Sequence, residues 1–134
     1  MLQTLEDYLM ERMPAHWMEE FKAIRRKHGS GELTEMRYHD AVNDLVCRDR
    51  SDEAMSILGR SLKDDFDMQD CSFTRHFIAR LLGRFPGAVM DFLMTSICQL
   101  KTRCCKKKRE RSRADGITLV MDPSSHTLLT VFAC

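Results

Sequence analysis

The residues with the most evident chemical capacity are consecutive. Lys101-Thr-Arg-Cys-Cys-Lys-Lys-Lys-Arg-Glu-Arg-Ser-Arg113 places eight cations in thirteen residues: Lys101, Arg103, Lys106, Lys107, Lys108, Arg109, Arg111 and Arg113. Glu110 is the sole acid among them, so the segment carries +7 in a chain of net charge +1, and the other 121 residues carry −6. A near-neutral total therefore hides an acidic body with one concentrated cationic stretch, an asymmetry that points to a polyanionic partner. The chemistry is phosphate neutralisation: each contact releases condensed counterions, which gives salt-sensitive and largely sequence-independent affinity.

If the stretch is helical, residues step by about 100° and the cations spread around the whole circumference. No face of such a helix can enter a core, so solvent or a polyanion must surround it. No aromatic residue interleaves the cations, which argues against base stacking on single strands. Duplex or structured nucleic acid, with RNA favoured, is the target that fits. The same composition satisfies a nuclear localisation signal. Cys104 and Cys105 stand directly before Lys106 and after an apolar helix, an arrangement that would allow lipid and charge to act together at a membrane. Membrane attachment ranks below nucleic acid, because the chain after Arg113 would have to fold back beside the bilayer.

Other reactive side chains are sparse. Cys98 and Cys105 are seven apart and would share a helical face, with His126 and Cys134 within reach from the C-terminal end. The separations match no standard zinc spacing, so no metal ligand and no cofactor is assigned. The acidic run Asp64, Asp65, Asp67 and Asp70 lacks the glycine and closing Glu of a calcium loop. No P-loop, G-x-G-x-x-G, H-E-x-x-H or G-x-S-x-G is present, so no catalytic residue is assigned and a non-enzyme is expected. His16, His28 and His39 read as helix-surface or loop residues, and His76 as a partly buried one.

The elements that must hold these residues are mainly helical. A hydrophobic fraction of 43% in 134 residues is enough for a folded core. Ten methionines read as adaptable core filler first and as a partner groove second. Positions 2–13 put Leu2, Leu5, Leu9 and Met13 on one face, with Thr4 and Asp7 spaced as a capping box. Pro14 ends or kinks this helix, or opens the next one at its first position, and a second helix over 15–28 puts Trp17, Met18, Phe21 and Ile24 on one face. Gly29-Ser-Gly31 breaks the chain. Thr34 caps a third helix to about Asp49, with Tyr38, Ala41, Val42, Leu45 and Val46 inward. Ser51, followed by Asp52 and Glu53, starts a fourth. Ser72 is expected to start a fifth, and Pro86 a sixth that buries Val89, Phe92, Leu93, Ile97 and Leu100 and continues into the basic stretch.

Beyond position 116 the pattern changes to Ile117–Met121, a turn at Asp122-Pro-Ser-Ser125, and His126–Phe132, which reads as a β-hairpin. The expectation is a single mainly α domain, 1–134: an acidic bundle of five or six amphipathic helices over 1–100, a basic helical extension over 101–113 and a hairpin over 117–132. An isolated hairpin is marginal, so this one must pack on the bundle or pair with a second copy, and a homo-oligomer is expected.

No apolar run is long enough to span a bilayer: Gly87 to Leu100 is interrupted by Asp91 and Gln99. Glu6, Asp7, Glu11 and Arg12 rule out a signal-peptide core at the N-terminus. An intracellular site, cytoplasm or nucleus, is expected, with the six cysteines reduced. The functional expectation is a non-catalytic nucleic-acid-binding regulatory or accessory protein of viral or host type. The rival is a helical adaptor for a host or cellular protein, whose basic stretch serves localisation or membrane association.

Overall fold

A computed structural model describes the backbone of residues 3–103, 110–114 and 117–133, and the side chains of 3–100 and 117–133. It is mainly helical with a C-terminal hairpin, as the periodicity predicts. Among the described residues six α-helices run in order: α1 (Leu5–Arg12), α2 (Ala15–Gly29), α3 (Glu35–Cys47), α4 (Asp52–Asp65), α5 (Arg75–Arg84) and α6 (Met90–Arg103). The described residues also form four strands: β1 (Ser72–Phe73), β2 (Glu110–Ala114), β3 (Ile117–Asp122) and β4 (Thr127–Ala133). They form one sheet in the order β1-β4-β3-β2.

The local signals at α1 to α3 act as read. Thr4 Oγ1 accepts from the Asp7 amide at 3.2 Å, and the Thr4 amide donates to Asp7 Oδ2 at 3.3 Å, closing the capping box. Pro14 sits at the N-cap of α2, and Thr34 Oγ1 accepts from the Arg37 amide at the start of α3. The inward stripes then meet. Tyr8, Leu9, Trp17, Phe21, Val46, Leu58, Phe77 and Leu82 are all at most 2% exposed. Each such fully buried large side chain contributes about 1.5–3 kcal/mol relative to exposure. The buried residues of all six helices join Ile117, Leu119, Met121, Leu128 and Val131 of the sheet in one cluster.

Three boundaries differ from expectation. Ser72 does not start α5; it pairs as β1, parallel to the start of β4, with its amide donating to the His126 carbonyl at 3.2 Å. Thr74 caps α5 instead, accepting from the Phe77 amide at 3.0 Å while its hydroxyl donates to the Leu129 carbonyl at 3.1 Å. Pro86 does not open α6. The carbonyls of Pro86 and Ala88 accept the first amides of α1, from Glu6 and Leu5, and hold residues 86–89 as an irregular segment until α6 begins at Met90. Two otherwise orphaned donors at the α1 terminus are thereby satisfied. Phe92, expected inward, is 50% exposed.

The third difference concerns the basic stretch. α6 ends at Arg103, and Glu110–Ala114 is a strand antiparallel to β3, with Arg111 opposite Val120 and Arg113 opposite Thr118. The expected helical extension is therefore wrong for 110–113. Arg and Glu favour helix locally, but β3 has a backbone edge that a neighbour must satisfy, and pairing overrides that weak preference. The hairpin is thus flanked on both sides, by β2 along β3 and by β1 at the start of β4. It packs on α5 and α6, so its need for a covering partner is met within the chain.

Candidate nucleic-acid interface

The eight cations predicted to form the site fall in three places. Lys101 and Arg103 occupy the last turn of α6, where positive charge complements the carbonyl end of the helix dipole. Lys106, Lys107, Lys108 and Arg109 lie outside the described residues. Arg111 and Arg113 alternate with Glu110, Ser112 and Ala114 along β2, and α6 lies against this strand.

Register defines the rows that cross the sheet at these positions. Position 111 aligns with Val120 and Thr130, and position 113 with Thr118 and Phe132. The intervening rows, through Leu119 and Val131, belong to the core. Val120 is 3% and Thr118 2% exposed, so the two Arg positions adjoin buried strand residues. Both ends of the basic stretch are consequently built into regular structure. Charged residues on an edge strand also discourage edge-to-edge association, which is a structural reason for Arg at 111 and 113 in its own right.

Several of the remaining candidates make internal bonds. Asp65 Oδ2 accepts from the Tyr8 hydroxyl at 2.7 Å and from Arg12 Nε at 3.0 Å, and these bonds hold its carboxyl below the usual carboxylate range. Asp64 accepts from the Gln69 amide, and Asp70 lies 3.7 Å from His126 Nδ1. Cys98 and His126 are described, whereas Cys105 and Cys134 are not, and no group of three metal-ligating side chains occurs among the described residues. His76 meets Thr130 Oγ1 at 3.1 Å.

Two arrangements were not read from the sequence. The first ties α2 to α3: Glu35 Oε1 lies 2.5 Å from His28 Nε2, and Glu35 Oε2 lies 3.1 Å from His39 Nε2. The His28 ring stacks on Tyr38 with centroids 3.9 Å apart, and Tyr38 donates to the Gly83 carbonyl at 2.7 Å. The Glu35–His39 half is an i,i+4 pair that spacing reveals; His28 arrives only through the helix packing. The second is a cleft between α4 and the β1–α5 junction, of about 640 Å³, which Arg60, Lys63 and Arg75 line. Arg60 and Lys63 share a face of α4 at i,i+3 spacing, whereas Arg75 joins them only through the tertiary structure.

Among the described residues no helix is long and apolar enough to cross a membrane. No protein-family model matches this chain, and no curated protein and no solved structure matches it either.

Proposed function

We propose that the chain binds nucleic acid without catalysis, with RNA favoured, through phosphate contacts from Lys101 to Arg113. The observation that carries this reading is the separation of charge, +7 on thirteen residues against −6 on the remainder. The anchoring of that stretch between α6 and β2 supports it: a segment tethered at both ends loses less freedom on binding than a loose tail, so more of its phosphate attraction appears as affinity. A homo-oligomer would double the cationic surface.

The test is binding to a duplex RNA oligonucleotide across a series of salt concentrations. A steep log–log slope is expected, and replacing Lys106, Lys107, Lys108 and Arg109 with Ala should reduce it by roughly 3 to 4. Unchanged affinity in the substituted protein would exclude the reading.

One observation favours an adaptor as the second reading. Phe92 stands half exposed on a largely apolar groove of about 480 Å³ between α6, the 85–89 segment and β3, with Leu93, Ile117 and Leu119 in its walls. Under this reading the basic stretch serves nuclear localisation or, with Cys104 and Cys105, membrane association. A Phe92→Ala variant that keeps RNA binding but loses a protein partner would favour it.

A further inference from the structure

The cleft beside α4 is a cationic site set in an otherwise acidic body. Arg60 and Lys63 project from one face of α4, Arg75 from the first turn of α5, and the hydroxyl residues Ser56 and Ser72 stand on the two sides. Phe73 supplies an aromatic wall, backed by Phe77 with ring centroids 5.9 Å apart. Among the described residues no acidic side chain lines the cleft. Arg75 is fixed by the Val46 carbonyl and by Asp52, each at 2.7 Å, so its charge is partly offset and it acts as the rigid member. Lys63 has no ion pair among the described residues, and Arg60 makes only a 3.4 Å bond to the Ser56 carbonyl of its own helix.

From this geometry we infer that the cleft binds a phosphate monoester carried on an aromatic body of about mononucleotide size. Arg and Lys supply charge-assisted donors to phosphate oxygens, and hydroxyls complete the shell. The volume, about 640 Å³, exceeds what a bare phosphate fills and falls in the ordinary range of small-ligand sites. Phe73 gives the non-phosphate portion an apolar surface. A Cβ built on Gly59 meets nothing within 4 Å, so backbone rather than side chain forms that part of the wall and leaves room for a ligand.

The experiment is calorimetric titration of the full chain with adenosine 5′-monophosphate, adenosine and inorganic phosphate. Saturable binding of the monophosphate is expected, with adenosine weaker by about tenfold or more, since the charge-assisted contacts are lost. An Arg60→Ala, Lys63→Ala variant should lose a similar factor. Gly59→Leu should block the cleft while keeping every charge, and circular dichroism should show its helix content intact. The Lys106 to Arg109 alanine variant should bind the monophosphate as the parent does, which separates this site from the basic stretch. Equal affinity for adenosine and its monophosphate, unaltered binding in the two cleft variants, or loss of binding in the basic-stretch variant would each overturn the assignment.

Discussion

Trp17 and Ser51 are joined by a buried hydrogen bond, indole Nε1 to Oγ at 3.2 Å, and the same hydroxyl donates to the Leu45 carbonyl. Ser51 stands at the N-cap of α4 yet makes no side-chain cap bond. At an ordinary cap, Ser to Gly costs only a few tenths of a kcal/mol. Here Ser51→Gly and Ser51→Ala should both cost about 1–3 kcal/mol in denaturant unfolding, because each strands the buried Trp17 N–H. A loss confined to Ala, with Gly near neutral, would return Ser51 to a simple capping role.

Thr74 and Ser72 offer a second contrast. Thr74 caps α5 and bonds β4 at once, whereas the Ser72 side chain is exposed. Thr74→Ala should destabilise by about 1–2 kcal/mol. Ser72→Ala should stay within about 0.5 kcal/mol in the same thermal melts.

Two helical glycines should respond differently to a methyl group. Gly59→Ala has open space and should stabilise by about 0.5–1 kcal/mol. At Gly83 the new Cβ would lie 3.3 Å from His39 Nδ1 and 3.6 Å from Val42 Cγ1. Gly83→Ala should gain less than Gly59→Ala, and Gly83→Leu should lower the melting temperature through overpacking.

Acid stability should depend on Asp65 and Glu35. The Tyr8 hydroxyl, then Arg12, depress the Asp65 carboxyl from its ordinary 3.8, and His28 leads the depression of Glu35 from 4.5. A depressed carboxyl contributes stability that is present above its unfolded value and lost as the pH falls through the folded one. Asp65→Asn should therefore narrow the difference in stability between about pH 6 and pH 3. Tyr8 is displaced the other way, chiefly by burial and then by Asp65. Its contribution is present below pH 10 and lost as the pH rises past that value toward the folded one. Unfolding of Asp65→Asn in parallel with the parent at every pH would exclude this account.

The strand portion of the basic stretch can be tested by itself. Arg111→Gln with Arg113→Gln removes both charges while keeping polar, unbranched side chains and should preserve β2, observed as protected amides in hydrogen exchange. On duplex RNA it should lower the salt slope by roughly 2. A preserved slope would confine any phosphate contacts to residues before Glu110.

Local sequence determined the helices and their inward faces. Tyr38, Val42, Leu45 and Val46 recur at helical spacing, Thr4 and Thr34 mark helix starts by short-range bonds that need no distant partner, and Pro14 marks one by its fixed φ. It also determined the charge separation, since composition alone places +7 between Lys101 and Arg113. Tertiary structure decided where those signals compete. Ser72 and Thr74 are both plausible caps, and pairing with β4 selected Thr74. Glu110–Ala114 is helix-compatible until β3 presents an edge, and Pro86 would open a helix if its carbonyl were not accepting from Glu6. The Arg60–Lys63–Arg75 cleft and the His28–Glu35–His39 clip were hidden for the same reason. Arg60 with Lys63 and Glu35 with His39 are neighbours within one helix, but Arg75 and His28 come from other elements and join them only in the folded chain.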